Sequence, residues 1–269
     1  MRRLIITVLA VGMTVPMTTA VAAPPEGPVY IALGDSQAFG VGTPREDKLG
    51  YGSVLHRSLR TVDCQDGPQE VCPHVEFVNM SVPGAKSSDL IANQLQPAVD
   101  LIIQRNNDAD PSNDVVLVTV TIGGNDLFDP VLAACSGGPS ETCAETIVDI
   151  FGSLATNLGI ILGTLRTVAP NTQRVISTYD NPFGACFLAP LAPLADIVLE
   201  GGSLGDANLE PGYNDIIRSV ATATESDVAD MFGKLAEDDW VGGEDCLHPD
   251  IRGYRTMAEI FLGEISDLN

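Results

Sequence analysis

The chain has 269 residues, 36 of them acidic and 14 basic, for a formal charge of −22. That length suits one large domain or two small ones, and 45% apolar against 19% charged residues excludes a disordered chain. The acidity excludes nucleic acid, which demands clustered Lys and Arg, and adhesion to anionic lipid surfaces; solubility accounts for it.

Arg2 and Arg3 precede an apolar run from Leu4 to Met17, followed by the small-x-small pattern Ala20-Val21-Ala22. This organisation predicts a secretory signal peptide over residues 1–22, cut after Ala22 because a cut one residue later would put Pro24 first. Removing it leaves 269 − 22 = 247 residues, 23–269, with a charge of 12 − 36 = −24. An uncleaved anchor is the alternative, but the run is short for a bilayer span. No later segment reads as a span: Leu158–Leu165 is short, and Phe187–Leu199 is interrupted by prolines.

Pro28 to Leu33 reads as a buried strand, and Leu49 to Arg60 has helical spacing. Val75 to Asn79 is a second short strand. Ser87 to about Gln104 is helix-like, with Leu90, Ile91, Leu95, Val99 and Ile102 on one side and Ser87 or Ser88 as its cap. Asp114 to Ile122 is a β-branched run, buried on both faces if it is a strand. A helix over about Thr146–Val168 comes next, then strand Arg174–Tyr179, helix Tyr213–Thr222, a weak fifth strand Asp227–Met231 and a final amphipathic helix Asp250–Leu268. Strands alternating with helices predict an α/β fold with a parallel sheet and helices on both faces, in a single domain over 23–269. The Gly/Pro-rich stretch 181–212 reads as an insertion at the rim.

The cysteines are Cys64, Cys72, Cys135, Cys143, Cys186 and Cys246. An even count in an exported chain predicts disulfides. Of 15 connectivities the sequential one is favoured, 64–72, 135–143 and 186–246, because the first two pairs are eight residues apart in loop-like stretches. Zinc is the weaker rival, since no C-x-x-C or His-paired spacing occurs. No metal and no cofactor are expected.

In parallel sheets ligands bind beyond the carboxyl ends of the strands. The residues just past each predicted strand are therefore informative: Gly34-Asp35-Ser36 after the first, Ser81-Val82-Pro83-Gly84 after the second, Gly123-Gly124-Asn125-Asp126 after the third, and Asp245-Cys246-Leu247-His248 after the last. Ser36 can act as a nucleophile and His248 as its general base. Asp245, three residues before His248, can orient the imidazole. The N–H groups of Ser36 and Gly84, with the Asn125 amide, can form an oxyanion hole. Each has a plainer reading. Ser36 can cap a helix, Gly84 can be a turn glycine and Asn125 a helix cap, while Glu244, Asp239 and Asp250 lie close enough to compete with Asp245; Asp250 fits better as the cap of the last helix. His74 precedes the second strand, at the wrong end of the sheet, and His56 lies on the first helix.

These four blocks, in this order over Ala32–Pro249, resemble the SGNH hydrolases of the GDSL lipase/esterase family. The resemblance implies a three-layer α/β/α sandwich, flavodoxin-like, with a five-stranded parallel sheet. It also implies metal-free ester hydrolysis through an acyl-enzyme on Ser36. Gln37 departs from the leucine of the family name, at a position outside the chemistry. Cys246 falls inside the last block, where a bond to Cys186 would hold the histidine loop.

A second serine motif, Gly201-Gly202-Ser203-Leu204-Gly205, matches a nucleophile elbow, but no helix-like sequence comes after it. The apolar stretch containing Phe183, Phe187, Leu188, Leu191, Leu194, Ile197, Val198 and Leu199 reads equally as acyl pocket, lid or core. A pocket would favour esters of medium or long acyl chains. Aromatic residues at 5%, with the single Trp240, give little support for a sugar platform. The expectation is a secreted monomeric esterase or lipase acting on small-molecule or lipid esters. A carbohydrate or small-molecule acetylesterase, or a secreted binding protein without turnover, is the alternative.

Overall fold

In a computed structural model the described residues are 27–62 and 75–266. The predicted signal peptide, the Cys64/Cys72 pair and His74 lie outside them.

The chain runs β1 (Val29–Gly34), α1 (Ser36–Phe39), α2 (Glu46–Leu49), α3 (Tyr51–Val62), β2 (Glu76–Asn79), α4 (Ser87–Leu90), a π-helical turn (Ile91–Leu95), α5 (Gln96–Asn106), β3 (Val115–Thr121), α6 (Gly124–Cys135) and α7 (Glu141–Val168). It continues through β4 (Gln173–Ser177), α8 (Ala192–Glu200), β5 (Ser203–Leu204), β6 (Ala207–Asn208), α9 (Tyr213–Ala223), β7 (Asp227–Ala229), β8 (Trp240–Gly242), β9 (Asp245–Pro249) and α10 (Ile251–Glu264). Five parallel strands form the main sheet in the order β2-β1-β3-β4-β7. That is the flavodoxin-like arrangement, with the reversal of winding at β1/β3. The expected α/β class and five-stranded parallel sheet are both present.

Side chains alternate across the sheet, as the period of two requires. Val29, Ile31 and Leu33 of β1 join the core under α4–α9, while Tyr30 and Ala32 join the core under α3 and α10. On the second side Thr119 of β3 would be a costly buried hydroxyl; Tyr30 and Tyr51 satisfy it, and Tyr51 also accepts from Thr121.

Several boundaries differ from the sequence reading for identifiable reasons. α7 starts five residues early because Ser140 caps it, accepting from the Cys143 N–H. Ser87 does not cap α4: Lys86 is the cap residue, and Ser87 turns inward to Asp126. α6, α8 and the hairpins β5–β6 and β8–β9 are not predicted from the sequence. α8 carries Pro190 and Pro193 at and before its first turn, which makes it read as loop; proline at a helix start costs no hydrogen bond. Asp250 does cap α10, accepting from Arg252 and Gly253. Among the described residues α7 is, by length and composition, apolar enough to cross a membrane, contrary to the sequence reading. Its inward stripe, from Ile147 to Leu165, is packed in the core.

Candidate active site

The first βα turn is built so that only glycine fits. Gly34 has φ +142°, and a Cβ there would lie 2.2 Å from the Thr121 carbonyl oxygen. The Asp35 N–H extends the ladder to that same oxygen, 3.1 Å away. Both backbone groups of Gly34 are met by the buried Gln94 amide: its N–H donates to Oε1 (2.9 Å) and its carbonyl accepts from Nε2 (2.8 Å). Gln94 lies in the π-helical turn, a distortion that often marks functional sites. Asp35 then caps α1 by accepting from the Gln37 N–H at 3.0 Å. Ser36 is thereby presented as the first residue of a four-residue helix.

His248 arrives on β9, the return strand of the β8–β9 hairpin. Its Nε2 stands 2.9 Å from Ser36 Oγ, across 212 residues of sequence. Its Nδ1 stands 2.9 Å from Asp245 Oδ2. Asp245 Oδ1 also accepts from the N–H groups of Leu247 and His248, so the carboxylate shapes the turn as well as facing the ring. Burial pushes the Asp245 carboxyl up, but the Leu247 N–H and the His248 ring outweigh it and hold it below the ordinary carboxylate range. The competing acids are engaged elsewhere: Asp239 accepts from Ala236 and Asp250 caps α10. Cys186 and Cys246 are disulfide-bonded, tying the loop after β4 to the segment between Asp245 and His248. Cys135 and Cys143 are bonded across the α6–α7 connection.

Gly84 and Asn125 come in from the neighbouring strands. Asn125 sits one turn position inside α6, not at its cap, which is Gly123. One hydrogen of its amide donates to the Ala85 carbonyl at 2.9 Å. That bond joins the second and third blocks and leaves the other hydrogen for a ligand. The loop of Gly84 is tied to the first turn by Val82 N–H to Gly34 O, 3.0 Å. Among the described residues the N–H groups of Ser36 and Gly84 donate to no protein atom. Asp126 accepts from the Ser87 N–H and hydroxyl, securing α6 to α4.

Three participants are not singled out by the sequence. Gln37 Nε2 donates to the Leu247 carbonyl (3.3 Å), linking the serine helix to the histidine loop. A position that the sequence places outside the chemistry thus touches the histidine's neighbour. Tyr179, two residues past β4, has its hydroxyl on Gly124 N–H (2.9 Å) and Asp35 Oδ2 (3.3 Å). Tyr213 donates to the Gly123 carbonyl at 2.7 Å. Tyr179 ends a predicted strand on the ligand side of the sheet, which is a usable signal; nothing in the sequence marks Gln94 or Tyr213. Burial raises the Asp35 carboxyl from 3.8 to about 7, against the opposing pull of the Gln37 N–H and the Tyr179 hydroxyl.

Beside Ser36 and Asn125 opens a mostly apolar cavity of about 170 Å³, walled by α6 (Val131, Leu132), by α8 (Leu194, Val198), and by Phe183 and Leu247. The stretch 183–199 is thus largely pocket wall, with Val198 and Leu199 also reaching the core. Phe187 does not line it and is 68% exposed. Ser203 lies exposed on the two-residue strand β5, which turns into β6 and opens no helix.

A hydroxyl, an imidazole and a carboxylate in line at the strand ends of a flavodoxin-like sheet, with an apolar cleft alongside, define an ester hydrolase of the α/β/α type. Residues 32–256 match the GDSL-like Lipase/Acylhydrolase family, and the chain belongs to that family. It is a carboxylic ester hydrolase. A lipase from a goat rumen metagenome superposes with a TM-score of 0.64 at 18% identity, over 90% of this chain and 100% of that one. The extracellular lipase of Streptomyces rimosus gives 0.56 at 19%, over 89% and 100%. An acetylxylan esterase from Geobacillus stearothermophilus gives 0.52 at 17%, over 89% and 94%. At these identities the likeness is one of fold. No curated protein sequence matches the chain.

Proposed function

We propose that this is a secreted serine esterase or lipase that cleaves carboxylic esters through an acyl-enzyme on Ser36. The observation that carries the reading is the 2.9 Å contact between Ser36 Oγ and His248 Nε2, with Asp245 2.9 Å from the other ring nitrogen. His248 takes the Ser36 proton as Oγ attacks the ester carbonyl. The oxyanion of the tetrahedral intermediate is met by the N–H groups of Ser36 and Gly84 and the free hydrogen of the Asn125 amide. Collapse expels the alcohol, which receives its proton from His248. Water activated by the same imidazole then attacks the acyl carbonyl and releases the acid and Ser36. Asp245 stays ionised and holds the ring in the tautomer that can accept from serine.

The cavity tells acyl from alcohol. The leaving oxygen must face His248, which protonates it, and the cavity is lined by Ser36 and Asn125 but not by His248. The acyl chain therefore enters the cavity, and its apolar walls favour chains longer than acetyl. Residues 1–22 act as the export signal and 23–269 form the mature monomeric hydrolase domain. The two described disulfides fit an oxidising compartment.

The test is covalent labelling. An alkyl p-nitrophenyl phosphonate should add its mass to the peptide holding Ser36 and abolish activity in proportion. A label on another residue, or none on the folded protein, overturns the assignment.

A further inference from the structure

The turn that carries Asn125 is gripped by two buried tyrosines. Tyr213 donates its hydroxyl to the Gly123 carbonyl at 2.7 Å. The Tyr179 hydroxyl is saturated: it accepts from the Gly124 N–H at 2.9 Å and donates to Asp35 Oδ2 at 3.3 Å. The other Asp35 oxygen accepts from the Gln37 N–H. One phenol oxygen therefore joins the turn that presents Ser36 to the turn that presents Asn125. The phenols themselves are fixed. Their ring centroids are 6.1 Å apart, and Asn214, fully buried on α9, bonds both the N–H and the carbonyl of Tyr179 at 2.9 Å. The fit is close on the turn side as well. A Cβ at Gly123 would come within 2.5 Å of the Tyr213 oxygen, and one at Gly124 within 3.2 Å of the Tyr179 ring.

We propose that Tyr179 is a positioning residue for ester hydrolysis: its hydroxyl fixes the separation between the Ser36 nucleophile and the Asn125 oxyanion donor, and Tyr213 locks the far side of the same turn. The proposal rests on the roles given above to Ser36 and Asn125. Tyr179 acts through both and on neither reacting atom. Removing the hydroxyl leaves the Gly124 N–H and Asp35 without their shared partner, so the two turns can drift relative to each other. Displacements below an ångström between a nucleophile and its oxyanion donors cost rate and not ground-state binding, because the donor meets charge only as it develops.

Tyr179→Phe keeps the ring and its packing. Reactive sites are counted by phosphonate titration, and kcat and KM on p-nitrophenyl butyrate are expressed per titrated site, for Tyr179→Phe, Asn125→Ala and the double variant. Normalising in this way removes any misfolded fraction. The expected result is a kcat per site lowered about 10- to 100-fold with KM within about twofold, and a double variant within about threefold of Asn125→Ala alone. A misplaced donor has nothing further to lose once the donor is gone. Undiminished kcat per site, or losses that multiply in the double variant, overturns the proposal. If Tyr179→Phe does not fold, Tyr213→Phe replaces it, with the same saturation against Asn125→Ala expected and multiplying losses again fatal. A wild-type protein that takes up no phosphonate overturns the Ser36 reading first, and this proposal with it.

Discussion

Asp35 places a carboxyl wholly out of water directly before the nucleophile, and burial lifts it to about 7. Its ordinary value is 3.8, so the folded state holds a proton that the unfolded chain releases from about pH 4 upward. The stability this group contributes is complete below that pH and is lost as pH rises through 7. Asp35→Asn should remove that dependence, so its stability relative to wild type should improve by about 2–3 kcal/mol from pH 5 to pH 8. Urea denaturation of both proteins at the two pH values measures it; parallel changes would contradict the burial argument. Asn125 supports a second prediction, on rate. Asn125→Ala removes one oxyanion donor and should lower kcat on the order of 10²–10³-fold with KM little changed, read on any soluble p-nitrophenyl ester. Residues that do chemistry announce themselves because serine, histidine and asparagine after strands have few other uses. Residues that hold them do not. Gln37, Gln94 and Tyr179 act through hydrogen bonds to distant backbone or side chains, and such partners are fixed only by the fold.

At the level of elements, the five sheet strands are legible because buried β-branched runs such as Val115–Thr121 permit little else. The helices missed are those whose signals conflict. α6 opens on Gly123-Gly124 and contains Pro130, which reads as turn and break, yet the helix continues through it to Cys135. α8 opens among prolines. Both are walls of the acyl cavity, so substrate selection is the least legible part of the protein. The cavity wall supports a third prediction. Val131→Phe and Leu194→Trp each add bulk to it and should shift the preferred acyl chain toward acetyl, with kcat/KM for octanoyl esters falling at least about tenfold while acetyl is spared. An unchanged chain-length profile in both would show that the chain lies elsewhere. The Cys186–Cys246 bond closes a loop 60 residues apart in sequence and, in the chain-entropy view, contributes about 4 kcal/mol. Replacing both cysteines with serine should lower denaturation free energy by that order. It should also depress kcat, since the bond adjoins His248.

For the molecule as a whole, sheet order gathers four distant segments at one edge. β1 and β3 sit at the centre, so Ser36 and Asn125 emerge side by side; the edge strand β2 delivers Gly84, and the β8–β9 hairpin folds His248 back over the top. The parallel sheet can be read from the alternation of patterns, and the convergence comes with it. The hairpin that brings His248 to Ser36 cannot, because Trp240–Gly242 is a three-residue strand without alternation. The central claim is that these segments form one esterase site centred on Ser36, with an apolar acyl pocket. The measurement that tests it most directly is hydrolysis of p-nitrophenyl esters from acetyl to palmitoyl by the mature chain, with Ser36→Ala alongside. The account predicts turnover that peaks between butyryl and decanoyl or beyond and vanishes in a Ser36→Ala protein of unchanged fold. Full activity in Ser36→Ala would contradict the site, and activity confined to acetyl would contradict the pocket.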